Sequence, residues 1–422
     1  MHLMKDINVH LENRRVSRLF FVYLFLMYSL VCMTKNCFSG ALAAIVEEGV
    51  LTLSQTTFIT ASFYIVYTPL QILGGVLADK FSTARLVLIG LLGSTACNVV
   101  IFFNQNYYVM LASWVFSAIV QSALWPAVFK MYSSQLVRSD RGTMIFFMSF
   151  ASSAGLVFSY LVASFLPRWQ LNFAVSAIVL FVLAVFLLAF CHKIDPILKR
   201  DTPIAKADHL ATEEAPKGKQ VFMLFLSSGF LVSLLAALLR YIVDNSGKTF
   251  TPTMLMESYA DISPSIGNLL TILVVISGLL GTLFVRFLLY PRIFKNEFTC
   301  SFVLLLAALP CTVLMRFVGS IPSWLCVVSL CIISLLSTGT GYLASCFAAR
   351  FVKYRLNGTA AGLLNAAYSF GLVLQYIVLG KIAENFGWDV VTTLWIIMIV
   401  LSILLFAAAI RPSIRFKRQI HE

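Results

Sequence analysis

Arg240 stands in the middle of Leu238-Leu239-Arg240-Tyr241-Ile242, inside an apolar run that opens at Val221. Roughly twenty residues of such chain, at about 1.5 Å of rise each, set a guanidinium well inside a bilayer. Holding it there costs about 2.5–3.5 kcal/mol or more, unless it faces a watery, protein-lined cavity and meets an anion. Asp244 follows at i+4, so an Arg240–Asp244 pair is one way to meet that need. An anionic ligand is the other. Lys35, between Thr34 and Asn36, interrupts a second apolar run in the same manner, with snorkelling to a helix end as its simplest alternative. Tyr28, Gln121, Tyr241, Asn365, Tyr368 and Gln375 are polar side chains in other long apolar stretches. Each is suited either to line a solute path or to bond helix to helix.

The absent motifs narrow the chemistry further. The chain has no H-E-x-x-H, G-x-S-x-G or phosphate-binding P-loop, so enzymatic chemistry is not expected. Its nine cysteines show neither C-x-x-C nor Cys/His metal spacing. No metal, cofactor or disulfide framework is expected from that pattern. The five histidines (His2, His10, His192, His209 and His421) lie at the termini or between the halves, and the first half has no carboxylate deep in an apolar run. A proton relay needs titratable groups along its path. Exchange of one anion for another, or uniport, is therefore favoured over proton symport, with Asp244 the residue that would reverse this.

The elements that must hold these residues are helices. Of 422 residues, 60% are hydrophobic and only 12% charged, the balance of an all-α, polytopic membrane protein. Apolar windows of about twenty residues predict twelve spans. They cover 18–46, 53–78, 84–104, 107–131, 141–166, 170–192, 221–248, 263–288, 296–318, 322–350, 357–384 and 387–410. The net charge of +13 is topological: 25 of the 31 basic residues fall at the two ends or after even-numbered spans. Arg168, Lys248, Arg316 and Lys381 are assigned to the opposite face. This positive-inside pattern predicts both termini in the cytoplasm, and no nucleic-acid partner.

An internal repeat organises the spans. Arg141-Gly142-Thr143, Gly155-Leu156-Val157 and Tyr160 recur as Asn357-Gly358-Thr359, Gly371-Leu372-Val373 and Tyr376, at a constant offset of 216. Trp169 and Trp388 follow at an offset of 219. The chain thus divides into a six-helix half over 1–192, a polar cytoplasmic linker over 193–220 and a second six-helix half over 221–422. Parallel repeats of this kind place a substrate site between the halves near the bilayer midplane.

The residues closing the second span, Gly74-Gly75-Val76-Leu77-Ala78-Asp79-Lys80-Phe81-Ser82-Thr83-Ala84-Arg85, resemble the loop signature of the major facilitator superfamily, with Ser82 where a second glycine is usual. The resemblance implies a structural and gating role for Gly75, Asp79, Lys80 and Arg85, and a twelve-helix fold of two pseudo-symmetric bundles. Arg240, Tyr241, Pro252 and Thr253 further resemble the seventh helix of the organophosphate:phosphate antiporter family, which includes glycerol-3-phosphate and hexose-phosphate transporters. Lys35-Asn36 and Gln121 through Pro126 are similar to that family's first and fourth helices. Two positions depart from it: the helix-1 arginine falls on Thr34 and the helix-5 histidine near Ser152.

The resemblance implies a transporter moving a small anion such as a sugar phosphate or glycerol phosphate, with phosphate as counter-substrate. Compactness and short loops lead us to expect a plasma (inner) membrane protein, and a monomer is expected. Arg240, Lys35, Tyr241, Gln121, Asn365 and Tyr368 are the expected substrate ligands. One guanidinium and one ammonium grip a phosphate less specifically than two guanidinium forks. A hexuronate-like organic-acid symporter and a non-transporting membrane sensor therefore remain open.

Overall fold

In hydrocarbon a backbone N–H or C=O finds no water, so long apolar stretches become helices that satisfy their own backbone groups. The computed structural model describes residues 14–135, 147–148, 150–198, 219–354 and 356–421, and every element among them is helical. Side chains outside this description include those of Asp79, Lys80 and Lys130. Among the described residues ten helices are long and apolar enough to cross a membrane. Leu53–Lys80 and Ala151–Phe165 supply the remaining two of the twelve predicted spans.

The chain divides into two compact units, Met1–Ala207 and Asp208–Glu422. In the first, α1 (Arg14–Lys35) and α2 (Cys37–Glu47) form the first span and α3 (Leu53–Lys80) the second. They are followed by α4 (Thr83–Phe103), then α5 (Tyr107–Gln121) with α6 (Leu124–Gln135), α7 (Ala151–Phe165) and α8 (Leu171–Leu198). The second unit comprises α9 (Lys219–Ser227), α10 (Phe230–Ser258), α11 (Pro264–Phe284), α12 (Glu297–Leu314) and α13 (Ser323–Ala349). Its eleventh span is α14 (Asn357–Leu374), a wider π turn at Gln375–Leu379 and α15 (Gly380–Phe386), and α16 (Trp388–His421) closes the chain.

Several boundaries correct the sequence-based expectations. The first span breaks at Asn36, whose side chain donates to the Cys32 carbonyl while its own carbonyl accepts from Ser159. The fourth span breaks at Ser122–Ala123, which puts Pro126 in the first turn of α6, where its missing N–H costs nothing. The seventh span is not continuous from 221: Gly229, at φ 78°, separates α9 from α10. Arg240 is thus the eleventh residue of a 29-residue helix, still near mid-membrane depth. The sixth span runs on to Leu198, and residues 199–218 of the expected linker lie outside the described residues, as do Arg141, Gly142 and Thr143.

Corresponding helices pack alike in the two units. The first and fifth spans, second and fourth, third and fourth, and third and sixth are neighbours in one; the same pairs recur in the other. The glycines at offset 216 share a role. A Cβ on Gly155 would strike the α1 backbone at Ser29 O and Met33 N, and one on Gly371 would meet Leu238, Tyr241 and Ile242 of α10. The tryptophans do so as well: Trp169 Nε1 donates to Glu48 at 3.0 Å and Trp388 Nε1 to Glu257 at 2.7 Å. In both units the start of the sixth helix is tied to the end of the first.

Each unit has its own aromatic core. In the first, Phe38 meets Trp114 edge-on with centroids 4.8 Å apart, and Phe173 at 4.9 Å. Such pairs contribute about 0.5–1.5 kcal/mol each beyond their buried area. In the second, Phe298, Phe347, Phe351, Phe406 and Phe416 pack together. Beside them the fully buried Glu297 carboxylate pairs with Arg350 at 2.6 Å and Lys417 at 2.7 Å, joining α12, the end of α13 and α16. Outward faces are apolar, as Ile89, Phe103, Ile178, Phe186, Leu280 and Leu404 illustrate. That surface suits lipid, and the chain is an integral membrane protein.

Candidate functional site

A period of 3.6 puts residues four apart on one face, and α10 uses this to line up Arg240, Asp244 and Lys248. All three are buried, at 2%, 5% and 9% exposure. Asp244 Oδ2 lies 2.8 Å from Lys248 Nζ and 3.9 Å from Arg240 Nη1. The Arg240–Asp244 pair weighed from the sequence is therefore real, but lysine takes the nearer place. Lys248, assigned from the sequence to the outer face, is instead an intramembrane residue of α10. Its apolar stem and a carboxylate one turn away let the ammonium stay inside.

Neighbouring helices complete the stripe. Arg240 Nη1 donates to the Ser337 carbonyl and Nη2 to the Tyr368 hydroxyl, both at 3.1 Å, while buried Nε has no partner among the described residues. The Tyr368 ring stacks on Tyr241 at 4.5 Å, so α14 and α10 frame the guanidinium. Thr338 of α13 donates to Asp244 and accepts from Lys248 at 3.0 Å. A turn farther along α10, Asn245 donates to Gln375, which donates to Thr249, both at 3.1 Å. Gln375 opens the π turn, a geometry frequent at functional sites. Asn365, three residues from Tyr368 on α14, is exposed and makes no hydrogen bond among the described residues.

In the first unit Lys35, at 7% exposure, occupies the last turn of α1. Its ammonium donates to the Tyr67 hydroxyl at 3.1 Å and lies 4.4 Å from the Tyr67 ring centroid and 5.6 Å from that of Tyr28. Gln71, one turn beyond Tyr67, donates to the same hydroxyl at 3.4 Å. Cation–π contact of this kind is worth about 0.5–2 kcal/mol, too little to neutralise a buried ammonium. Among the described residues no carboxylate comes within ion-pair distance of Lys35. Thr34, at the position of the family's arginine, turns back to donate to the Val31 carbonyl and is no substitute. Gln121 donates to Ser117 at 2.9 Å, and its buried carbonyl Oε1 has no partner among the described residues.

Of the gating residues, Arg85 is exposed, and a Cβ on Gly75 would meet nothing within 4 Å among the described residues. The close approach belongs to Gly74, where a Cβ would lie 2.6 Å from the Ser122 carbonyl oxygen. The Asp79 and Lys80 side chains lie outside the described residues. Sequence reasoning missed Tyr67, Gln71, Ser337 and Thr338. The spacing of Tyr67 to Gln71, and of Arg240 to Asp244 to Lys248, was the available signal for the first two and for Lys248. Nothing along the chain pointed to a hydroxyl on α13.

The model for the major facilitator superfamily matches residues 24–374, most of the chain and parts of both six-helix units. This chain belongs to the major facilitator superfamily. Among solved structures, the superfamily chain superposes on a bacterial homolog of the human lysosomal transporter Spinster, inward-facing and occupied, with a TM-score of 0.69 at 15% identity, covering 95% of this chain and 97% of that one. The D-xylose–proton symporter matches with a TM-score of 0.70, again at 15% identity, over 93% and 97%. At such identity the likeness concerns the fold. A curated relative, the membrane sensor protein UhpC of Escherichia coli (strain K12), is 25% identical over 119 residues. That match spans 28% of this chain and 27% of the relative's length. Fold and family together identify a transporter-type membrane protein, not an enzyme.

Proposed function

We propose that this superfamily member moves a small organic anion, of the sugar-phosphate or glycerol-phosphate class, across the membrane by alternating access, exchanging it for another anion such as phosphate. One observation carries the reading: among the described residues, each half buries more cationic than anionic charge at these positions. There Lys35 meets tyrosine rings and a hydroxyl but no carboxylate, and Arg240 and Lys248 both approach the carboxylate of Asp244. A buried cation without a partner is costly enough that an anion is the natural complement. Arg240, with Tyr368 and Tyr241, is the candidate ligand set of the second half, and Lys35 with Gln121 that of the first. The positive-inside distribution supports both termini in the cytoplasm, and the reading takes the chain as a monomer of the plasma (inner) membrane.

A second reading has one specific observation in its favour: the curated relative is named a membrane sensor. In that case the same anion site reports occupancy without passage. The test is uptake of labelled glycerol phosphate, hexose phosphate and a hexuronate into proteoliposomes, with and without internal phosphate, for the native chain and Arg240→Ala. Phosphate-stimulated entry of an ester, lost in the variant, is the expected result. Entry of the hexuronate alone would replace the exchanger by an organic-acid transporter. Binding of these anions without any uptake would establish the sensor instead.

A further inference from the structure

We infer that Lys248 is a second cationic ligand of the transported anion, and that Asp244, by cancelling one of the two cations flanking it, sets the charge of the anion accepted. The inference rests on the anion-transport reading above and specifies its site.

The three groups form a plus–minus–plus ladder along one face of α10, about 6 Å per step. A pair made for stability needs one cation, yet this carboxylate has two, and only Lys248 is within hydrogen-bond distance. The second unit also keeps room for both cationic heads. A Cβ on Gly278 of α11 would lie 3.1 Å from Lys248 Nζ and 2.7 Å from both Ser334 Oγ and Thr338 Oγ1. A Cβ on Gly341 of α13 would lie 2.9 Å from Arg240 Nη2. Any larger residue at either glycine would press on a cation.

Donors beside the ladder remain unused. The Ser334 hydroxyl, next to Lys248, is buried at 2% exposure and has no hydrogen-bond partner among the described residues. Arg240 Nε is equally unpartnered. Buried polar groups are normally satisfied, so an orphaned hydroxyl near an ammonium and an orphaned guanidinium N–H mark where a ligand's oxygens go. The shared chemistry is that of an oxyanion with more than one acceptor.

The charge count names the class. Along α10, Arg240 and Lys248 against Asp244 leave one net positive charge, and removing Lys248 leaves none. A phosphate monoester carries about −1.5 to −2 at pH 7, whereas a sugar acid carries a single negative charge. The extra cation at Lys248 favours the more highly charged ester, and its removal shifts the balance towards the monoanion.

The experiment uses the full chain in proteoliposomes, comparing inhibition of labelled glycerol phosphate uptake by hexose phosphate and by hexuronate. Lys248→Gln leaves Arg240 beside Asp244, so no buried carboxylate is orphaned, and the variant is expected to fold. It should move the preference from ester towards hexuronate by about tenfold, the change that about 1.4 kcal/mol produces. Asp244→Asn should move it the opposite way by a similar factor. The double variant, whose net charge equals the native one, should return close to the native preference. An unchanged preference in active Lys248→Gln would overturn the inference and leave the transport reading intact. A monodisperse Lys248→Gln protein that takes up neither anion would overturn the valence assignment too. Failure of the native chain to bind or transport any of these anions would remove both readings together.

Discussion

Replacing Gly155 by alanine tests both the repeat and the seating of Lys35. The added Cβ would lie 2.5 Å from Cys32 Cβ and 2.7 Å from Met33 N, and would also strike the Ser29 carbonyl oxygen. Carbon–carbon contacts are favourable at about 3.5–4.0 Å, so α7 and α1 must part by about 1 Å. Backbone atoms cannot turn aside as a side chain can. Overpacking of this sort costs about 1–3 kcal/mol. For a unit of this size each kcal/mol lowers Tm by about 2–4 °C, so a fall of about 2–12 °C is expected. Gly371→Ala is the matched control from the other half. Its Cβ would meet side-chain carbons of Leu238, Ile242 and Tyr241 at 3.0–3.4 Å, which yield by rotation. That variant should lose about 1 kcal/mol or less. The assay is the fraction of monodisperse protein after heating in one detergent, read alongside anion affinity, because Lys35 lies one helical turn from Cys32. Equal losses in the two variants, or a Gly155→Ala midpoint within about 1 °C of native, would refute the packing argument.

The remaining expectations concern the Glu297 cluster. Glu297→Gln removes the shared partner of Arg350 and Lys417 from a fully buried position, and breaking a buried pair in this way costs about 3–5 kcal/mol. Thermal unfolding of the variant should show that loss, and a change below about 1 kcal/mol would mean the cluster is solvated in practice. Burial first, and then the Glu297 carboxylate that accepts its proton, push the Tyr290 phenol above its ordinary value of 10.0. The folded chain holds that proton more tightly than the unfolded one. The stability it confers is complete below about pH 10 and is lost as pH rises beyond, through the raised folded value. Tyr290→Phe should flatten the alkaline limb of a stability–pH curve between about pH 10 and 12. An unaltered limb would assign the alkaline loss to other groups.

How much was legible in the chain differs between fold and site. The sequence by itself determined the class, the number of spans, the twofold repeat and the placing of Arg240 and Lys35 within long apolar spans. Those features follow from hydropathy and spacing, which act along the chain and need no knowledge of neighbours. The same one-dimensional logic misread places where a local event decides the outcome. Gly229 adopts a left-handed backbone and resets the start of the seventh span, and Asn36 interrupts the first by bonding its own helix.

Only the tertiary structure decided the company each charge keeps. Lys248 counts as an outer residue when distance from the start of the run is all that is known. Packing against Gly278 and Thr338 makes it an internal partner of Asp244. Asn365 and Tyr368 are equivalent polar residues in the sequence, yet folding brings the Tyr368 hydroxyl to Arg240 and leaves Asn365 exposed. The physical reason is common to all these cases. Periodicity states which residues share a face, whereas the cost of a buried charge is set by atoms on other helices within about 3–4 Å, and those are brought together only by folding.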